Sequence, residues 1–246
     1  MSKTYDPEKF QSNYEEFLSQ KQSHKGKEYL TKIQDNKLTE FQLADLKLDF
    51  VYAYQDTLAF ELFSSLVGGN DITEFLDVGS KLSSMLFFAR LAKCFYLEVK
   101  NPPWSHMTEP FLNIKLIKGE GQGIEADDER FKLVTSLHAI EHFGLGRYGD
   151  EIDFQGDFKA LQEFNRVLSP GGHLILSVPY SFNNPRIWFH GERVYSKKII
   201  FEMLSDAGFK INQEYFIAPH ISFKPFKNEI DCGDGISAIL ISAEKV

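Results

Sequence analysis

The chain has 246 residues, of which 43% are hydrophobic and 25% charged, and it carries a formal net charge of -8. This is the composition of a globular protein able to bury a sizeable core, and it excludes a disordered or fibrous chain. The acidic balance argues against nucleic acid or an anionic membrane surface as a partner, since both select a basic face.

The N-terminal residues carry no apolar signal region, and no run approaches the ~18 apolar residues of a membrane span, so a cytoplasmic protein is expected. Two cysteines, Cys94 and Cys232, are too few for a disulfide framework and suit a reducing compartment. Residues 1–37 are polar, but Tyr14, Phe17 and Leu18 stand at helical spacing and predict a short docking helix. Thr39, with Gln42 three residues on, reads as a capping box that opens a long helix. Its stripe is Leu43, Leu46, Phe50, Val51, Tyr54 and Leu58, and Gly68-Gly69 is expected to stop it. Residues 1–70 are therefore read as a helical extension or lid ahead of a main domain, 71–246.

From Ile72 the pattern alternates between strands and helices, which predicts an α/β fold with a largely parallel sheet and helices on both faces. Seven strands are expected at 74–78, 94–99, 112–117, 131–136, 173–178, 210–217 and 236–242, the last two suited to a hairpin. Helices are expected at about 82–92, 156–168 and 196–207.

Open α/β sheets hold ligands outside the carboxyl ends of their strands, so the residues there matter most. The first strand ends in Asp77-Val78-Gly79-Ser80-Lys81, where a glycine lets backbone approach a ligand. Glu98, about twenty residues on, stands where a carboxylate accepts both ribose hydroxyls of a nucleoside. The alternative is that Gly79 merely tightens a turn.

The order Leu76-Asp77-Val78-Gly79, Glu98, Lys118-Gly119-Glu120, residues 136–142 and Arg166-Val167-Leu168-Ser169-Pro170-Gly171-Gly172 resembles a class I S-adenosylmethionine-dependent methyltransferase. The resemblance covers roughly residues 70–246, and residues 141–150 are similar to a branch found among surface-polysaccharide biosynthesis proteins. It implies a Rossmann-like seven-stranded sheet and S-adenosylmethionine as cofactor. Asp77 and Gly79 would approach its methionine moiety, with Ser80, Lys81 and Ser136 in the same set; Glu98 would take the ribose, and Glu120 or Gln122 the adenine. Lys81 and Ser83 stand where the family carries glycines. Lys81 either narrows the cofactor pocket or marks a fold that has lost its cofactor.

His138, Glu141 and His142 share a face if they lie on a helical turn, and three readings stay open. They could bind a divalent cation that acidifies a substrate hydroxyl, as in the ubiquinone-type O-methyltransferases, which have an acid where His138 stands. His142 or His138 could instead act as a metal-free general base. They could also be structural, with Glu141 capping backbone. His-x-x-Glu-His also matches an inverted zinc-peptidase signature, which needs a long helix and a further ligand that are not evident.

The glycine-rich residues 144–150 form a shaped loop in which Arg147 either clamps an anionic group or pairs with Asp150, and Tyr148 can stack on a ring. Residues 180–195 mix aromatics with Asn, Arg and His, among them Arg186 and His190, a composition suited to sugar or nucleotide-sugar recognition. The functional expectation is O-methylation of a small acceptor, a sugar or sugar nucleotide in surface glycan biosynthesis, by a chain that can act as a homodimer. The alternatives are a catalytically inactive methyltransferase-like partner or scaffold, and another nucleoside-cofactor enzyme on the same fold.

Overall fold

The structure is a computed structural model that describes residues 7–24, 26–27, 29–30, 33–34, 38–99, 113–218, 222, 224–233 and 237–246. The first residue of the strand expected from 112, position 236 and parts of the 220–235 connection lie outside them. So do the side chains of Phe10, Leu43, Leu46 and Phe50.

In chain order the elements are α1 (Pro7–Ser23), β1 (Ile33–Gln34), α2 (Leu38–Asn70), β2 (Glu74–Val78), α3 (Leu82–Phe88), β3 (Lys93–Glu98), β4 (Ile114–Lys118) and β5 (Phe131–Leu137). A single 3-10 turn (Ile140–His142) then leads to α4 (Gly156–Val167), β6 (Leu168–Pro179), β7 (Arg186–Trp188), β8 (Arg193–Val194), α5 (Lys197–Asp206), β9 (Phe209–Ile217) and β10 (Ala238–Lys245). The main sheet has seven strands in the order β4-β3-β2-β5-β6-β10-β9. Strands β2 to β6 run parallel, while β10 is antiparallel to both β6 and β9. This is the expected Rossmann-like arrangement. The chain leaves β2 toward β3 and β4 and returns on its other side as β5, so a crevice opens between the carboxyl ends of β2 and β5.

Each sheet face carries its own apolar cluster. On one, Val51, Ala59 and Phe63 of α2 recur at helical spacing and bury against Phe75 and Phe88; the Phe63 and Phe88 rings stack 4.5 Å apart. On the other, Leu161, Phe164 and Val167 of α4 pack with α5 and with Phe17 of α1, whose ring lies 5.0 Å from Phe189 and 5.3 Å from Phe154. Among the described residues no helix is long and apolar enough to cross a membrane.

Several elements differ from expectation, and the helix expected at about 82–92 ends at Phe88. Helix α2 starts at Leu38, which puts Thr39 inside the first turn, and it runs through Gly68 and Gly69 to Asn70. Packing of the apolar face outweighs two glycine penalties, and the chain turns only at Asp71, whose φ is 51°. Strand β6 begins at Leu168, because Leu168 pairs with Phe131 and a register shift before the Leu133–His173 pair absorbs the Ser169-Pro170-Gly171-Gly172 bulge. Within residues 180–195, β7 and β8 form a hairpin that joins β1 in a small second sheet.

Candidate active site

A pocket of about 500 Å³ sits at the carboxyl edge of β2, β3 and β5. Its wall on the β2 side is the turn 78–81. Asp77 lies behind that turn rather than in the pocket. Its fully buried carboxylate accepts hydrogen bonds from Ser80 N at 3.1 Å, Ser80 Oγ at 2.7 Å and Thr135 Oγ1 at 2.6 Å. Burial pushes this carboxyl up to about 7, against the pull of those three donors. Asp77 therefore shapes the turn and ties β2 to β5, and its oxygens face inward. Ser136 is also behind the wall, donating to the Val78 carbonyl at 3.0 Å. Gly79 has a φ of +73° and Ala139 Cβ within 3.1 Å of where a side chain would begin, so glycine is required there.

Gly79, Ser80, Lys81, Glu98 and Gln122 line this half, whereas Glu120 does not. Glu98 ends β3 with Oε1 receiving Val99 N at 3.1 Å, and the Tyr96 hydroxyl lies 2.7 Å from the Ser80 carbonyl and 3.3 Å from Glu98 Oε2. A half-exposed carboxylate is thus steadied at the strand end where a diol would be received.

The opposite half is lined by His138, His142, Arg147, Tyr148, Glu192 and Tyr52. His138 has a φ of 51°, uncommon for a residue with a side chain. Its N–H is pinned by Ser177 O at 3.0 Å and Ser177 Oγ at 3.2 Å, and Ser177 Oγ in turn donates to Gln55 of α2. The imidazole Nδ1 lies 3.0 Å from Glu141 Oε1, and both side chains are almost fully buried. An ionised carboxylate only accepts, so Nδ1 carries a proton, and in the neutral ring Nε2 then holds the lone pair. That Nε2 is buried and has no hydrogen-bond partner among the described residues. Burial raises the Glu141 carboxyl, but the hydrogen bond from His138 and the proximity of the two imidazoles outweigh it, leaving the carboxyl below its usual range.

His142 is arranged differently. Its Nδ1 lies 2.7 Å from the Gly191 carbonyl and its Nε2 3.8 Å from Glu141 Oε1. Burial lowers its pKa to about 4, so it is neutral at pH 7. The two histidines and Glu141 do not share an α-helical face, because His138 precedes the 3-10 turn in a left-handed conformation. One Glu141 oxygen faces both imidazoles. Among the described residues no three His, Cys, Asp or Glu groups converge as metal ligands do, so the set does not fit a divalent cation.

Asp150 accepts the backbone N–H groups of Gly144, Gly146 and Tyr148 and so folds the glycine-rich loop, while Arg147 donates to the Gly191 carbonyl at 3.2 Å. Arg186 and His190 do not line the pocket: Arg186 donates to the Asn184 carbonyl and His190 stands 3.5 Å from Asn13. Among the lining residues that the sequence does not single out, two carry polar groups into the acceptor half. Tyr52 comes from α2, and Glu192 from the turn between β7 and β8. Burial, then the charge of Glu141, pushes the Glu192 carboxyl up to about 7.

Residues 119–220 match a family described as Caenorhabditis protein of unknown function, DUF268. No curated protein matches the chain in sequence. Similar solved structures include the (4+2)-cyclase SpnF, at 16% identity over 77% of this chain and 80% of that one with a TM-score of 0.58. Another is the Burkholderia thailandensis 1,6-didemethyltoxoflavin-N1-methyltransferase, bound to its substrate and S-adenosylhomocysteine, at 16% identity over 83% and 89% with a TM-score of 0.57. A third is the Streptomyces coelicolor geranyl diphosphate C-methyltransferase, at 11% identity over 77% of each chain with a TM-score of 0.55. At these identities the likeness shows the fold: the seven-stranded sheet of the class I methyltransferases.

Proposed function

We propose that the protein is a cytoplasmic S-adenosylmethionine-dependent methyltransferase that acts on a hydroxyl of a small acceptor, a sugar or sugar nucleotide of surface glycan biosynthesis. The observation that carries this reading is the pairing of two half-sites in one pocket. Glu98 and the Gly79 turn stand on one side, and a buried imidazole held by Glu141 with its Nε2 unpartnered stands on the other. Two of the similar structures are, by name, methyltransferases that hold S-adenosylhomocysteine, which supports the cofactor.

When bound, the cofactor supplies an electrophilic sulfonium methyl group. The chain's own part is positioning and proton transfer. Glu98 would hold the ribose hydroxyls and Gln122 the adenine edge. His138 Nε2 would take the proton of the acceptor hydroxyl, and Glu141 would stabilise the imidazolium that forms. Glu192, Arg147 and Tyr148 line the acceptor side, where a carboxyl, a guanidinium and an aromatic face suit a polyol bearing an anionic group.

SpnF is by name a cyclase, so the fold alone leaves the reaction open. The His138–Glu141 pair favours proton abstraction over a scaffold role, because a buried unpartnered nitrogen costs stability that a purely structural pocket would avoid. The test is transfer of label from methyl-labelled S-adenosylmethionine to a panel of sugars and nucleotide sugars. The reading predicts a methylated product, equimolar S-adenosylhomocysteine and loss of both in His138→Ala. A decarboxylated or aminopropyl product would contradict it.

A further inference from the structure

In the turn that departs from the glycine-rich pattern, two backbone donors are already in use. Gly79 N donates to the Leu97 carbonyl at 3.2 Å, and Ser80 N donates to Asp77 Oδ1 at 3.1 Å. An anionic group entering over this turn therefore meets two N–H groups that are already committed. The following helix, α3, has seven residues and adds little. What the turn does present is a cation: Lys81 lines the pocket, and its Nζ lies 3.3 Å from the centroid of the Tyr52 ring. The same Tyr52 ring meets the His138 imidazole edge-on at 5.0 Å. Cation–aromatic contact of this kind holds an ammonium at a wall without neutralising its charge.

We propose that Lys81 is the anchor for the carboxylate of an amino-acid tail on the nucleoside ligand, and that Tyr52 is the seat from which its ammonium is presented. This rests on the reading of the pocket as a nucleoside site. It replaces the view of Lys81 as an obstruction: the side chain supplies by charge what the Gly79 and Ser80 amides, bound elsewhere, do not. Lysine suits the role because its flexible stem lets Nζ leave an aromatic face for a carboxylate nearby.

The test compares S-adenosylhomocysteine with 5'-methylthioadenosine, which keeps the adenosine and thioether but lacks the tail, by titration calorimetry. Wild type, Lys81→Met and Lys81→Arg are measured at pH 7.5. The proposal predicts that wild type prefers S-adenosylhomocysteine by about tenfold or more, the scale of a charge-assisted hydrogen bond. Lys81→Met removes that preference and leaves methylthioadenosine binding within about twofold, and Lys81→Arg keeps most of it. Lys81 is exposed, so the folded state tolerates all three side chains, which melting curves verify. An unchanged preference in Lys81→Met, or tighter S-adenosylhomocysteine binding in that variant, overturns the assignment of Lys81 alone. Failure of wild type to bind either nucleoside overturns the nucleoside-site reading as well.

Discussion

The His142 imidazole is held by the Gly191 carbonyl at Nδ1, and burial keeps its pKa near 4. A base that weak accepts a proton poorly at neutral pH, whereas His138 has its tautomer set by Glu141 and Nε2 unpartnered. Of the two histidines legible in the sequence, the geometry favours His138 as base and His142 as a residue that positions Glu141 and the 191 turn. His138→Ala should lower kcat by about 10²- to 10⁴-fold with little change in nucleoside affinity. A larger kcat loss in His142→Ala would reverse the two roles. Glu192 offers a separate check. A carboxyl whose pKa is higher folded than unfolded holds its proton longer in the folded state. Its stabilising share is full below about 4.5 and is lost as pH rises toward 7. Glu192→Gln should therefore gain stability over wild type between pH 5 and pH 8 in urea unfolding. A constant difference across that range would show that Glu192 is not desolvated beside Glu141.

At the scale of elements, a buried ion pair helps to hold the acceptor side. Arg193 of β8 is 3.4 Å from Asp157 of α4 and donates to the Phe143 carbonyl at 2.6 Å and the Phe154 carbonyl at 3.0 Å. Tyr195 donates to the same carboxylate at 2.8 Å. Arg193→Ala removes the cation beside the buried Asp157 and the donor to two buried carbonyls, so it should cost about 3–5 kcal/mol and lower Tm by roughly 10 °C. A shift of only 1–2 °C would mean that the network is not structural. Helix α2 makes the opposite prediction: its Gly68 and Gly69 have open space around them, so alanine at each should stabilise by about 0.5–1 kcal/mol. These glycines also show where the sequence misleads. Gly68-Gly69 reads as a stop, but packing carries the helix through. Strand β2 was legible to the residue because a short run, Glu74–Val78, is bounded by turn residues and buried on both faces. Tyr52 and Glu192 were not, because only the folded chain brings α2 and the β7–β8 turn to the β2–β5 crevice. The motif position of Asp77 suggests a ligand, and no sequence pattern reveals that Ser80 and Thr135 occupy its oxygens.

Across the whole molecule the strand order accounts for the site. Reversal of direction at β2 opens the crevice, and α2 covers one sheet face while contributing Tyr52 and Gln55 to the acceptor side. Helix α1 seals the other face through Phe17, and Gln20 bonds the backbone of Ile152 and Phe154 beside the glycine-rich loop. The sheet was readable from the alternation of strands and helices, while the closing of the pocket by these two helices depends on long-range packing. All of the functional reading rests on a nucleoside occupying the Glu98 half. The most direct measurement is titration calorimetry of the full chain with S-adenosylmethionine and S-adenosylhomocysteine, with Glu98→Ala in parallel. The account predicts one equivalent bound per chain with each ligand and at least tenfold weaker binding in Glu98→Ala. Absence of heat and of any thermal shift in the wild type at about 1 mM ligand, a binding free energy weaker than about -4 kcal/mol, would contradict it.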